Sequence, residues 1–268
     1  SALSNVGVYG SGQAYEAMLL RMRAHPLPEA REYADLMLVE LRKVIPSFLK
    51  RVDLPDRGGK WSAYLADNHD RTAMLVDDLL GAEEPDPVPE VQLVEFDPDG
   101  EDKVVAAICF AHSHLSERQI MKRVSAMSVD EKSSLLAAYV GNRENRRHKP
   151  GRAFERTYYR FDVLGDYGAF RDLQRHRLLT IEWQRLSVEH GYVIPELVSE
   201  SGGESSFIEA MERSAALHDL LRPEFPWQAS YAVSMAYRMR YVMQFNAREA
   251  MHMLELRSSP QGLSLIHI

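Results

Sequence analysis

The stretch FRDLQRHRLLTIEWQRLS, Phe170 to Ser187, sets four arginines, one histidine and one glutamate among Leu, Ile, Phe and Trp. Two readings compete for it. In the first it is a solvated helix face, whose surface ion pairs contribute little and need no function. In the second, Arg171 and Arg175 lie one helical turn apart and form a fork for a phosphate. Spacing alone leaves both open. It leaves His176 open too, because an isolated histidine is more often structural than catalytic.

The rest of the chain narrows the choice. Its 268 residues suffice for one large or two modest domains with real cores. A composition of 45% apolar and 26% charged residues is that of a globular protein. The net charge of −7 argues against broad nucleic-acid binding, so any anion site must be local. The single cysteine, Cys109, rules out an internal disulfide and a cysteine-based zinc cluster. It sits in the apolar run Val104 to Phe110 and is expected to be a buried small hydrophobe. No stretch reads as a membrane span or a signal peptide, so a cytoplasmic protein is expected. The first residue is not methionine, and the apolar end LSLIHI, residues 263–268, reads as a non-native tail. A fragment of something longer is the expectation.

Periodicity predicts helices over Gly12–Arg23, capped by Ser11, over Pro28–Val44, and near Arg71–Leu80. The segment GAEEPDPVPE, Gly81 to Glu90, has three prolines and four acids and reads as a linker. After it, Val91–Phe96 alternates as a strand, and an apolar helix follows over Glu101–Phe110. Ser128 to Glu131 forms a capping box that opens a helix to Val140. Asn142–Arg152 is a basic loop. Ala153–Val163 alternates as a strand with Tyr159, Phe161 and Val163 on one face and Arg156 and Arg160 on the other. Asp166 caps a helix that carries the opening motif. A further helix spans Ser205–Leu221, Met239–Phe245 reads as a strand, and Asn246 with Glu249 starts a last helix. An α+β fold follows: a mixed sheet with flanking helices.

Two more clusters have chemistry in them. Arg248 and His252 lie one turn apart near Asn246, at a helix start whose free N–H groups favour an anion. Arg257 comes nine residues after Arg248, about half a turn out of phase, so the two cannot serve one site from one helix. Arg257 equally suits a cation complementing the helix dipole. The basic loop offers Arg143, Arg146, Arg147, Lys149 and Arg152, but a basic loop beside a strand is usually just solvated, and nucleic-acid binding is not expected. No Walker loop, no dinucleotide fingerprint and no metal-ligand spacing occurs, and no metal is expected. There is also a weak internal repeat. Gly12–Pro26 aligns without gaps on Asn246–Pro260, and Leu20, Arg23 and Pro26 fall on Leu254, Arg257 and Pro260.

Taken together, these residues resemble the flavin-dependent thymidylate synthases. Arg175-His176-Arg177 matches the opening Arg-His-Arg of that family's signature, with Arg171 upstream. Asn246-Ala247-Arg248, His252 and Leu256-Arg257 match its later element in order and spacing, and His148 lies near a family histidine. The resemblance covers about Val91 to Gln261. It implies FAD as cofactor, held by Arg175, His176, Arg177, Asn246, Arg248, His252 and His148. It implies dUMP as substrate, bound by Arg171, Arg175, Thr180, Glu182, Arg185 and Arg257, with Arg257 the catalytic residue that polarises the uracil ring. The implied reaction is a methyl transfer making dTMP, with methylenetetrahydrofolate and NADPH as co-substrates. A homo-oligomer with sites shared between subunits or copies is implied as well. The repeat suggests the tandem form: 1–80 the helical end of a first copy, 81–90 a linker, 91–262 a second, incomplete copy.

The chain departs from the signature after Arg177. Glu182 stands where the family has Asn and Trp183 where it has Glu, Arg185 and Ser187 invert the last Ser and Arg, and Asp172 replaces a Gln. These changes fall on the dUMP half more than on the flavin half. The alternative is a degenerate, non-catalytic copy that serves as a structural or oligomerisation domain.

Overall fold

The computed structural model describes residues 6–85 and 87–259. The expectations for the non-native tail and for Pro260 lie outside those residues. The chain divides at Asp86 into two compact units, which are described separately.

The first unit is helical. α1 (Gly12–Arg23) begins where the Ser11 side chain accepts from the Ala14 amide at 3.2 Å. α2 (Pro28–Arg42) starts on Pro28, whose missing N–H costs nothing at the first helical position. α3 (Pro46–Leu49) is a single turn. α4 (Lys60–Leu80) starts far earlier than the predicted Arg71. Its polar middle, Asp67 to Asp70, interrupts the apolar rhythm, and only Ser62 along it is buried. Leu19, Ala34, Leu38, Leu49 and Val52 form the core. A π-turn at Pro55–Gly59 leads into α4, and Gly58 is forced there: a Cβ would stand 2.1 Å from the Val52 carbonyl oxygen.

The second unit is a sheet with helices around it. Its elements are β1 (Val91–Phe96), α5 (Gly100–Ala111), α6 (Glu117–Val124), α7 (Val129–Val140), β2 (Tyr158–Asp166), α8 (Tyr167–Leu173), β3 (Thr180–Trp183), α9 (Glu196–Glu200), α10 (Glu204–Leu221), β4 (Arg238–Asn246) and α11 (Ala247–Arg257). The sheet order is β1-β2-β4-β3. The α+β class holds, and within it all three pairings are antiparallel, a narrower arrangement than the mixed sheet expected. β2 and β4 pair continuously from Tyr158 opposite Asn246 to Asp166 opposite Arg238. That ladder places the start of α8 at one end of the sheet and the start of α11 at the other.

The core between sheet and helices is Val163, Phe170, Leu173, Met239, Tyr241, Phe245 and Met253, with Tyr159 and Phe161 packed against it. The predicted apolar face of β2 is thus the buried one. The strand begins at Tyr158 rather than Ala153, because Arg152–Arg156 coil into a 3-10 turn that buries Ala153 and Phe154 against α5 and α7. Arg156 therefore leaves the sheet and pairs with Glu117. α6 has no counterpart in the prediction, although Ser116 and Gln119 close a full capping box at its start. Cys109 is only partly buried, against Val105 and Ile120.

One correction bears on the site. Phe170–Ser187 is not one helix. α8 ends at Leu173, Arg175 to Leu178 turn, and Thr180–Trp183 form an edge strand on β4. Arg171 and Arg175 therefore make no helical fork. The turn is dictated by packing: Phe170 is 1% exposed, with the Tyr241 and Trp183 rings at 4.9 and 5.5 Å. Phe170→Ala should cost about 3–5 kcal/mol, read as a lower urea midpoint at unchanged slope.

Candidate functional site

Three elements meet at the Arg-His-Arg turn: the end of α8, the first and last turns of α11, and the basic loop before β2. Asn246 caps α11, its Oδ1 accepting from the Glu249 amide at 2.9 Å. A capping box would send the Glu249 carboxylate back to Asn246. Instead Glu249, 3% exposed, turns inward and accepts from His176 Nδ1 at 3.0 Å. His252, one turn on, approaches the same carboxylate at 3.4 Å, and its ring meets that of His176 edge-on at 5.6 Å.

Arg257, at the end of α11, closes the network from the other side. Its Nε donates to His176 Nε2 at 3.1 Å. Its Nη1 reaches Asp172 Oδ2 at 3.2 Å and its Nη2 donates to the Asp172 carbonyl oxygen at 2.6 Å. Since His176 Nε2 accepts, its ring proton is on Nδ1, facing Glu249. Asp172 and His176 are both buried. All three guanidinium nitrogens of Arg257 are engaged internally.

Outside this network lies a cavity of ≈ 250 Å³, lined among others by Arg146, Lys149, Arg175, His176, Arg177 and Arg248. Some of the surrounding cations are already neutralised. Arg143 pairs with Glu255, its Nη1 2.7 Å from Oε1 and its Nη2 donating to Oε2 at 2.9 Å. Arg248 reaches Glu155 and the Pro150 carbonyl oxygen, both at 2.9 Å. Arg175 is 3.4 Å from Asp172. Arg146, Lys149 and Arg177 make no ion pair among the described residues. Their unspent charge marks the cavity for an anion. His176, Glu249 and His252 also present three donor atoms within 4.8 Å, a set that can take a divalent cation. The six cations around it, and the Arg257 hydrogen bond on His176, oppose that occupant.

Of the expected flavin residues, Arg175, His176, Arg177, Arg248 and His252 line this cavity. Asn246 acts from behind as the cap, and His148 holds the basic loop, its carbonyl oxygen accepting from Arg143 at 2.6 Å. The expected dUMP residues are scattered. Arg171 is exposed beside Met235, Thr180 and Glu182 are on the edge strand, and Arg185 lies over the Trp227 ring at 4.0 Å. Glu249 and Glu255 were not singled out from sequence. Glu249 was read as a capping residue, and Glu255 carries no signal beyond its phase on α11.

The rim ion pairs make stability pH-dependent. The Arg143 hydrogen bond holds the Glu255 carboxyl below its ordinary value of 4.5. Arg152 and, less strongly, Arg248 do the same for Glu155. A folded value below the unfolded one gives stability that is present above the unfolded value and lost as pH falls through the folded one. Glu255→Gln should therefore lower the melting temperature at pH 7. The gap to the parent should close as pH drops below the ordinary glutamate range, in parallel thermal melts.

With this geometry in place, comparison with known proteins is informative. A family model described as thymidylate synthase complementing protein matches residues 92–264. The UPF0159 protein of Chlamydia pneumoniae is 39% identical over 264 residues, covering 98% of this chain and 50% of its own length. Its namesake in Thermoplasma acidophilum is 32% identical over 267 residues, covering 98% and 51%. The chain thus spans about half the length of these relatives. Among solved structures, a UMP/dUMP methylase of Streptomyces cacaoi, bound with 5-Br dUMP, has a TM-score of 0.50 at 17% identity, over 65% of this chain and 80% of that one. Thymidylate synthase X of Helicobacter pylori, crystallised with FAD and dUMP, has a TM-score of 0.47 at 23% identity, over 67% and 88%. The methylase match is a likeness of fold. The match over most of the second unit is one of family: the chain belongs to the thymidylate synthase complementing protein family.

Proposed function

We propose that the second unit is a flavin-dependent thymidylate synthase copy that holds FAD in the basic cavity and methylates dUMP. The carrying observation is convergence: Arg175, His176, Arg177, Arg248 and His252 come from two segments some seventy residues apart and line one cavity. Arg146, Lys149 and Arg177 supply the positive charge that a pyrophosphate needs. The buried Glu249 fixes the His176 ring, so that wall of the cavity is preorganised. When bound, reduced flavin supplies the hydride. Methylenetetrahydrofolate and NADPH are the co-substrates of this reading, and the cytoplasm its compartment. Among the described residues no helix is long and apolar enough to cross a membrane. On the same reading, 1–80 is the end of a first copy, 81–90 the linker and 91–262 the second copy. Assembly is then a homo-oligomer with sites shared between subunits or copies.

A second reading draws on Arg257. An arginine with every nitrogen committed to Asp172 and His176 has little left for a pyrimidine. The expected substrate residues beyond it lie apart. These features favour a copy that holds flavin or architecture while chemistry occurs elsewhere. The absorbance spectrum of the purified protein, titrated with dUMP, separates the readings. The synthase reading expects a bound-flavin band that shifts with dUMP. Arg177→Ala should weaken FAD roughly tenfold or more, as loss of a charged hydrogen bond does. A flavin band unmoved by dUMP favours the second reading, and a colourless protein that takes up no FAD removes the first.

A further inference from the structure

The helix α4 of the first unit has 21 residues, about 30 Å of length, and carries more apolar surface than its neighbours cover. Near its start it rests on α1: Ser62 is buried, and its hydroxyl donates to the Leu20 carbonyl oxygen at 3.0 Å. From Arg71 to Leu80 every residue is exposed. The apolar residues are not scattered. Trp61, Leu65, Asn68, Thr72, Leu75 and Leu79 follow one another at steps of four and three, the spacing that keeps one stripe of a helix facing a partner helix. Leu75 is 61% and Leu79 75% exposed, and Tyr64 and Val76 flank the stripe. Asp67, Asp70, Asp77 and Asp78 all lie outside it.

A helical segment this exposed is marginal in water, so the stripe calls for cover. Its own order names the occupant. Reversed about Asp70, the stripe keeps its character: Trp61 falls on Leu79, Leu65 on Leu75, and Asn68 on Thr72. A two-fold interface requires that property, because residue i meets j while j meets i. Two copies of α4 laid antiparallel thus match apolar with apolar in the outer layers and amide with hydroxyl in the central ones. Charge selects the same sense. One flank of the stripe carries Lys60, Asp67, Arg71 and Asp78 in that order. On reversal, Lys60 comes beside the partner's Asp78, and Asp67 beside the partner's Arg71. In a parallel pair this flank would meet the other one, Ser62, His69 and Val76, which holds no carboxylate. The helix end gains as well. The last turn of α4 has no basic residue but two acids, Asp77 and Asp78, which its own dipole disfavours. An antiparallel neighbour brings a lysine there.

We propose that α4 is a self-association helix, which pairs antiparallel with α4 of a second copy about a two-fold axis at Asp70. It lies outside residues 92–264, to which the family match applies, and stands without the flavin reading. Sedimentation equilibrium of the parent and of a variant carrying both Leu75→Asp and Leu79→Asp tests it. The double substitution should raise the dissociation constant roughly hundredfold or more, as loss of a central apolar contact does. Met74→Asp, at a position 69% exposed on the opposite face, should leave it unchanged. All three positions are exposed in a single copy, so the variants fold. If the second unit associates too, as the synthase reading expects, the double variant loses one assembly step and keeps the other. The sense of pairing is read in a Cys109→Ser background. Leu65→Cys and Leu75→Cys proteins, oxidised together, should form a disulfide-linked dimer. Neither should do so alone, because like positions then stand about 15 Å apart along the axis, against the roughly 7 Å between Cα atoms that a disulfide can span. A monomeric parent, an unchanged constant in the double variant, equal weakening by Met74→Asp, or a linked dimer from either cysteine protein alone would overturn the proposal. FAD uptake by the same samples reports on the flavin reading separately.

Discussion

The second unit depends on one buried network: Glu249 to His176 to Arg257 to Asp172. It joins the end of α8 to both ends of α11, and so fixes the turn between α8 and β3. Each link relies on the next. A carboxylate as buried as Glu249 needs a donor, and His176 supplies one from Nδ1. That leaves Nε2 to accept, and Arg257 is the donor that reaches it. Arg257 in turn is an expensive charge to bury unless an acid faces it, and Asp172 does. Taking any one away strands a polar or charged partner, so the four residues behave as a unit.

This network also separates two environments. On one side, uncommitted cations and the His176 and His252 rings make a cavity for an anion. On the other, the Arg257 stem, its charge neutralised, forms part of an apolar wall facing Asp166 and Tyr241. The same arginine lies between a basic cavity and an apolar one, and Asp172 decides that its charge is spent on neither.

Much of this was legible in the residues. The Arg-His-Arg triplet and the Asn-Ala-Arg element marked the two segments that line the basic cavity, because side-chain chemistry at fixed spacing survives into the fold. The capping residues Ser11, Ser128 and Asn246 each start the helix expected, since a cap is a local hydrogen bond that needs no tertiary partner. Tyr159, Phe161 and Val163 announced the buried face of β2 by their alternation. The break in α8 was not legible. Leu178, Leu179 and Ile181 continue an apolar rhythm that suits a helix, and only pairing with β4 turns Thr180–Trp183 into a strand.

The sequence by itself determined which residues are available: caps, strand faces, the two arginine motifs and the basic loop, all set by local hydrogen bonds or by periods of two and 3.6 residues. Only the tertiary structure decided how they are used. Glu249 could cap or turn inward, Asp166 could cap or face a cavity, and Arg257 could reach a ligand or Asp172. Each choice is made by partners far away in the chain, Asp172 being eighty-five residues from Arg257. No local pattern encodes such a pairing, because its energy comes from shared burial, which exists only once the sheet and both helices have closed around it.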